Sequence, residues 1–244
     1  MTAEPTTLTE HLEELRKRLI YSVAGILLAF AFCFLGFSET ILDIVRAPIV
    51  PFLPEKGLVF TAPMDKFMAH VKVSLLSSVI LTCPFWLYQL FAFISPGLYE
   101  KERKFSIWFI LFGTILFVSG ASFVYFVVFP MAFDFLMNFG GGTDMPMITI
   151  SEYLGFFSLT TIVFGLMFEL PLILSLLGIM GVIDQAFLKR YRRYAIVIMA
   201  VSAAMVTPPD AFSMLCMMGP LILLYELSVI LVGFFERNRE IPEG

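Results

Sequence analysis

The sequence predicts an all-α integral membrane protein: six transmembrane helices in a single membrane domain over residues 1–244, the fifth and sixth short or irregular, both termini cytoplasmic. Three observations predict it. Hydrophobic residues make up 59% of the chain and charged residues 15%, with a mean hydropathy of +0.90, whereas a soluble chain is about half apolar and a quarter charged. So little polar surface cannot face water on all sides. Apolar stretches recur at about 20 residues, the length that crosses a bilayer core of roughly 30 Å. Lys and Arg crowd alternate loops, and the basic side is the cytoplasmic one.

The chain begins its first helix with "TEHLEELRKRLIYS", Thr9 to Ser22. Leu8, Leu12, Leu15 and Leu19 recur at helical spacing and form one apolar stripe. Thr7 with Glu10 fits a capping box. Glu13 meets Lys17, and Glu14 meets Arg18, at i, i+4. The first span, 19–37, is too long for a signal-peptide core and has no small-x-small cleavage site after it, so it reads as retained. Residues 38–65, with "RAPIVPFLPEKGLVF", are rich in Pro and Gly and predict a cap on the outer face. The second span, 70–94, carries Pro84 and should kink there.

The third span, 105–130, runs to Pro130, and the fourth, 153–180, contains Pro171. The fifth, 194–207, reaches only roughly 20 Å as a helix. "TPPD" (Thr207 to Asp210) then breaks it, because two prolines cannot continue a helix. The sixth span, 212–235, is interrupted by Pro220. Non-helical backbone at that depth must be shielded by protein or meet water. No internal repeat is visible, so the inverted-repeat mark of many secondary transporters is missing.

Loop by loop, twelve Lys and Arg lie on one side: Arg16–Arg18, Lys101, Arg103, Lys104, Lys189, Arg190, Arg192, Arg193, Arg237 and Arg239. Four lie on the other: Arg46, Lys56, Lys66 and Lys72. The formal charge of -4 gives no reason to expect a nucleic-acid partner. Cys33, Cys83 and Cys216 each sit in an apolar stretch, odd in number and without zinc spacing, and read as small buried hydrophobes. No HExxH, Gly-x-Ser-x-Gly or glycine-rich phosphate loop is present. His11 and His70 lie near span edges as interfacial polar residues. Neither enzyme chemistry nor a metal or cofactor is expected.

Three acids stand apart. Glu102, in "SPGLYEKERKFSIW", has no basic partner on its own helix face. Glu169 lies inside "TTIVFGLMFELPLILSLLG" with no other charge in the run. A carboxylate there costs several kcal/mol unless paired, protonated or hydrated, and intramembrane acids are functional candidates; the bland alternative is an interhelical hydrogen bond. Glu226 is similar but nearer the cytoplasmic end, where the bland reading is stronger.

Five stretches in order resemble the TatC family: "HLEELRKRL" (His11 to Leu19), "APIV" around Pro48, "FAFISPGLYEKERK" (Phe91 to Lys104), "FGLMFELP" (Phe164 to Pro171) and "TPPD". The resemblance covers nearly the whole chain. It implies the multispanning receptor subunit of the twin-arginine, Sec-independent protein translocase of the bacterial inner membrane, a concave groove-forming bundle. Such a protein binds signal peptides of folded precursors at the cytoplasmic face and self-associates. It also nucleates assembly with small single-span subunits of the TatA and TatB type, and transport is driven by the proton motive force. By the same resemblance Glu14 and Glu102 are the recognition acids, with Arg16 and Phe93 beside them. Glu169 is the intramembrane acid, and Pro48 and the outer-side Asp210 are structural or partner contacts. Family members often have Gln shortly after that Asp, where this chain has Met214.

The physics suits this assignment. Adjacent arginines present rigid donor forks matched to carboxylates. At about 4 Å and an effective dielectric near 20, the raw Coulomb attraction is about 4 kcal/mol per pair before desolvation. The apolar part of the peptide would lie along the bundle toward Glu169. The rivals are a secondary transporter of a small cationic or proton-coupled solute, with Glu169 as the ion site, and a passive membrane scaffold.

Overall fold

The computed structural model describes residues 8–53, 57–95, 106–138, 147–206 and 211–239. Their helices are α1 (Leu8–Gly36), α2 (Ser38–Arg46), a 3-10 turn (Val50–Phe52), α3 (Asp65–Leu81) and α4 (Cys83–Ile94). Then come α5 (Ser106–Phe123), a π-helical turn (Val124–Val128), α6 (Phe129–Asn138), α7 (Ile150–Phe168), α8 (Leu170–Ile179), α9 (Gln185–Val206) and α10 (Ala211–Arg239). Helix α1, the α5–α6 run, the α7–α8 run and α10 are each long and apolar enough to span a membrane. Helices α3 and α4 together make a fifth such element, bent by 55°. Helix α9 falls short because its first third carries Lys189, Arg190, Arg192 and Arg193.

The prolines explain the breaks, and two of them correct the sequence reading. Pro84 falls in the first turn of α4, where its missing N–H is no loss, and the bend lies just before it at Thr82. Thr82 Oγ1 donates to the Ser78 carbonyl at 2.7 Å, and Trp86 Nε1 donates to the Val79 carbonyl at 3.1 Å. Pro171 likewise sits in the first turn of α8, behind a break at Glu169. Pro130, by contrast, does not end the third span. The π turn ahead of it widens the helix, which absorbs the ring and the lost hydrogen bond, and the helix runs on to Asn138. Pro220 does not interrupt the last helix either; α10 carries it inside a continuous Ala211–Arg239.

The outer segment folds back, as its composition predicts. Leu42, Val45 and Ile49 are buried against the bundle, and α2 packs on α3. The hydroxyls of Tyr125 and Tyr153 donate to the last-turn carbonyls of α2, Ile44 (2.9 Å) and Val45. Val59 pairs in parallel with Thr149, donating to the Ile148 carbonyl at 3.0 Å and accepting from Ile150 N–H at 2.8 Å. Thr149 then caps α7 by accepting from Glu152 N–H. At the opposite, basic end, α8 closes with Gly181 at φ +72°, and Val182 N–H reaches the Leu177 carbonyl at 3.0 Å. This left-handed glycine turns the chain, and Asp184 caps α9 through Phe187 N–H.

Helices α5 and α7 cross closely because glycine faces a large side chain at successive levels. A Cβ on Gly120 would lie 2.8 Å from the Phe164 carbonyl oxygen, and one on Gly165 would lie 2.7 Å from the Phe117 ring. Small residues let backbones approach where lipid supplies no hydrophobic drive between helices. Gly155 on α7 has nothing within 4 Å of its Cβ position. Gly120→Ala should therefore destabilise by about 1–3 kcal/mol through overpacking. Gly155→Ala should be neutral or stabilise by up to about 1 kcal/mol. Melting curves of the two variants in detergent check this, at about 2–4 °C for each kcal/mol; equal shifts would refute the close-packing account.

Candidate functional site

The amphipathic N-terminal segment is not a separate element. It is the first three turns of α1. Its leucine stripe points outward, with Leu12, Leu15 and Leu19 exposed. A different stripe packs inward. His11, Glu14, Arg18, Ser22 and Gly25 follow at spacings of three and four, and three of them meet α4. The His11 ring stacks on Phe93 at 4.4 Å between centroids and 21° between planes. Arg18 Nη1 donates to Gln89 Oε1 at 3.3 Å. A Cβ on Gly25 would lie 2.7 Å from the Phe85 ring.

Glu14 sits inside this seam. Arg18 donates to Glu14 Oε1 through Nε at 3.0 Å and Nη2 at 2.8 Å. The side chains are 27% exposed for Arg18 and 32% for Glu14, so the pair is partly shielded but still wet. One oxygen of Glu14 takes both donors. The chain thus holds a half-buried carboxylate already in contact with one guanidinium, and Gln89 on α4 holds that guanidinium from behind. The predicted Glu13–Lys17 pair does not form; Lys17 Nζ instead lies 6.0 Å from the centroid of the Tyr21 ring, and Glu13 points outward.

The structure therefore brings together Glu14 and Phe93 on one seam. Arg16 lies exposed on the far side of α1. Pro48 is half-buried in the turn after α2, beside the fully buried Ile49. Glu102 and Asp210 lie outside the described residues. Met214 is half-buried and packs on the apolar core. Glu226 is answered: Arg192 on α9 donates to it at 2.8 Å. Gln89, 7% exposed, went unread in the sequence, although a lone amide in "WLYQLFAF" carried the same signal as Glu169.

Glu169 occupies the junction of α7 and α8, at the C-cap of the first. It is 2% exposed, and neither carboxylate oxygen has a hydrogen-bond partner. Its Oε2 lies 3.2 Å from the position a Cβ would take on Gly113 of α5. Leu87 of α4 and Leu172 of α8 press on that same point at 2.9 and 3.0 Å. The surroundings are apolar, and the acid is sealed from the bundle surface rather than open to a passing peptide. No group of three or more His, Cys, Asp or Glu among the described residues is arranged to hold a metal.

Fold and site define a multi-pass α-helical membrane protein with a carboxylate–guanidinium seam at its basic end and a sealed acid within the bundle. The family model "Sec-independent protein translocase protein (TatC)" matches residues 10–220, and the chain belongs to the TatC family. A curated relative of that name from Desulforapulum autotrophicum is 40% identical over 98% of this chain and 89% of its own length. The Campylobacter jejuni relative is 42% identical over 92% of this chain and 93% of its own. A crystal structure described as the twin arginine translocase receptor TatC superposes with a TM-score of 0.82 at 36% identity, covering 93% of this chain and all of that one.

A buried acid with no partner is a cost that the fold carries. Replacing such a group by an apolar one of similar shape is neutral or stabilising. Glu169→Leu should raise the melting temperature in detergent by a few degrees, at about 2–4 °C for each kcal/mol. A clear fall would mean that the carboxylate is a structural tie.

Proposed function

We propose that this chain is the receptor subunit of a twin-arginine protein translocase, binding the signal peptides of folded precursors at the cytoplasmic end of its bundle. The observation that carries the reading is the seam of α1 and α4. Glu14 there already accepts two hydrogen bonds from one guanidinium through Oε1, beside an aromatic ring at Phe93. The names of the curated relatives and of the crystal structure it resembles support the same reading.

In this reading both termini are cytoplasmic, as the loop charges predict, and the protein lies in the bacterial inner membrane. One arginine of the twin pair binds Glu14 and the other binds Glu102, with Phe93 packing on the peptide and Arg16, exposed on α1, as a further contact of the bound peptide. Each ion pair is worth far less than the raw Coulomb attraction, because Glu14 is a third exposed and screened. Two pairs together still discriminate, since lysine lacks the fork of arginine. Single-span partner subunits pack beside the bundle, Pro48 and Asp210 serve as structural or partner contacts, and the proton gradient drives transport. Glu169 acts only after the wall formed by Leu87 and Gly113 opens, because in the closed bundle it is out of reach.

Photocrosslinking of a twin-arginine precursor to the full chain in membranes tests the acid pair. Glu14→Ala and Glu102→Ala should each insert normally and lose the crosslink, and an Arg-Arg peptide should be retained where its Lys-Lys counterpart is not. Undiminished crosslinking in both variants, or equal retention of the two peptides, would sink the assignment. For Glu169, the Gln variant should keep much of the transport activity and the Lys variant should lose it. Transport by the Lys variant at the wild-type rate would remove any role for a polar group there.

A further inference from the structure

Helix α9 divides its four cations into two kinds. Its inward face holds Leu188, Met199 and Ala203, all buried, and packs on α10. The Tyr225 hydroxyl donates to the Leu188 carbonyl at 2.8 Å. Arg192 lies on this side and is neutralised by Glu226, while Lys189 donates to Gln185 Oε1 at 3.0 Å. Arg190 and Arg193 lie away from this face, both exposed. Neither has an acidic partner within ion-pair distance among the described residues.

The outward face of α9 is layered. Val197, Ile198 and Val201, all exposed, form an apolar band. One turn nearer the basic end, Tyr194, Tyr191 and Phe187 form an exposed ladder, with centroids 5.8 and 4.5 Å apart. The guanidinium of Arg193 lies 4.9 Å from the Tyr194 ring centroid, and Arg190 is four residues before Tyr194 on the same side. Beyond the apolar band, the amphipathic rings and the two arginines share one level of the helix, residues 187–194, as aromatic rings and headgroup-contacting cations do at a bilayer interface. Two unmatched positive charges at headgroup level call for net negative charge. A zwitterionic headgroup does not supply it.

We propose that the outward face of α9 is a binding site for an anionic phospholipid, with Arg190 and Arg193 on the headgroup phosphate, Tyr194 beside it, and an acyl chain along Val197, Ile198 and Val201. The site is independent of signal-peptide binding and involves none of its residues. Juxtamembrane cations attract anionic lipid by about 1 kcal/mol each near the surface, so removing both should weaken retention by about tenfold or more.

Native mass spectrometry of the full chain, exchanged from detergent into phosphatidylglycerol or phosphatidylcholine, reads this directly. The wild type should retain phosphatidylglycerol preferentially. Arg190→Gln with Arg193→Gln should lose that preference by about tenfold, while Lys189→Gln, removing an engaged cation from the same turn, should keep it. The phosphatidylcholine comparison on the wild type needs no variant to fold. Equal retention of the two lipids by the wild type overturns the proposal, as does unchanged phosphatidylglycerol retention in the double variant. Displacement of the lipid by millimolar inorganic phosphate overturns the headgroup-and-chain site. A single-span partner helix crosslinking to Tyr194 equally in the presence and absence of anionic lipid assigns the face to protein and overturns it too.

Discussion

The 55° bend at Thr82 is the constraint on which both polar sites depend. Inside a bilayer no water satisfies a freed carbonyl, so a helix can break only where its own side chains or neighbours make good the loss. Here the Trp86 indole reaches back to the Val79 carbonyl, and the bend becomes affordable in lipid. It swings α4 out of line with α3. That direction turns Phe85, Gln89 and Phe93 toward α1 and turns Cys83, Leu87 and Phe91 inward, where all three are buried.

Helix α4 is therefore a wall shared by two sites that are far apart in sequence. Gln89 steadies Arg18, which holds Glu14. Leu87, two residues earlier, presses on the glycine surface against which the Glu169 carboxylate lies. The helix is anchored sideways by Trp86 on Phe117 at 5.4 Å and by Phe91 on Phe109 at 4.9 Å. A rigid displacement of α4 that moves Gln89 moves Leu87 with it. Helix α4 thus lines both the wall over the sealed acid and the Glu14 seam.

Much of this was legible in the sequence, and the losses have physical causes. Hydropathy identified a multi-pass helical membrane protein because backbone satisfaction in lipid leaves few alternatives to long apolar helices. The kink near Pro84 was legible, whereas Pro171 was read only as lying inside the fourth span, and the break at Glu169 needed the structure. Pro130 misled because a π turn can absorb a proline, and nothing in "VYFVVFP" announces i→i+5 bonding. The leucine stripe of α1 was legible but its direction was not: in a membrane the apolar face need not be the buried one, and the polar stripe with His11, Glu14 and Arg18 faces the bundle. Glu14 was singled out in the sequence, yet Gln89, which contacts its partner Arg18, was not; its significance lies in which helix it faces. Glu169 stood out as a lone charge, but its closure by Leu87 and Gly113 needed three dimensions.

The two ends of the bundle are held by different kinds of bond, and this suits them to different work. At the end opposite the basic loops the ties involve backbone: Tyr125 and Tyr153 hold the α2 carbonyls, and Val59 pairs with Thr149 and its neighbours. Such ties fix chain segments rather than rotamers. At the basic end the interhelical ties lean on side chains: Arg18 to Gln89, Arg192 to Glu226, and Gln185 to the Val229 carbonyl at 3.2 Å. The one ion pair among these three, Arg192–Glu226, is partly exposed and contributes little net stability. The ties of the cap to the α2 carbonyls do not depend on how the arginines of the basic end are paired.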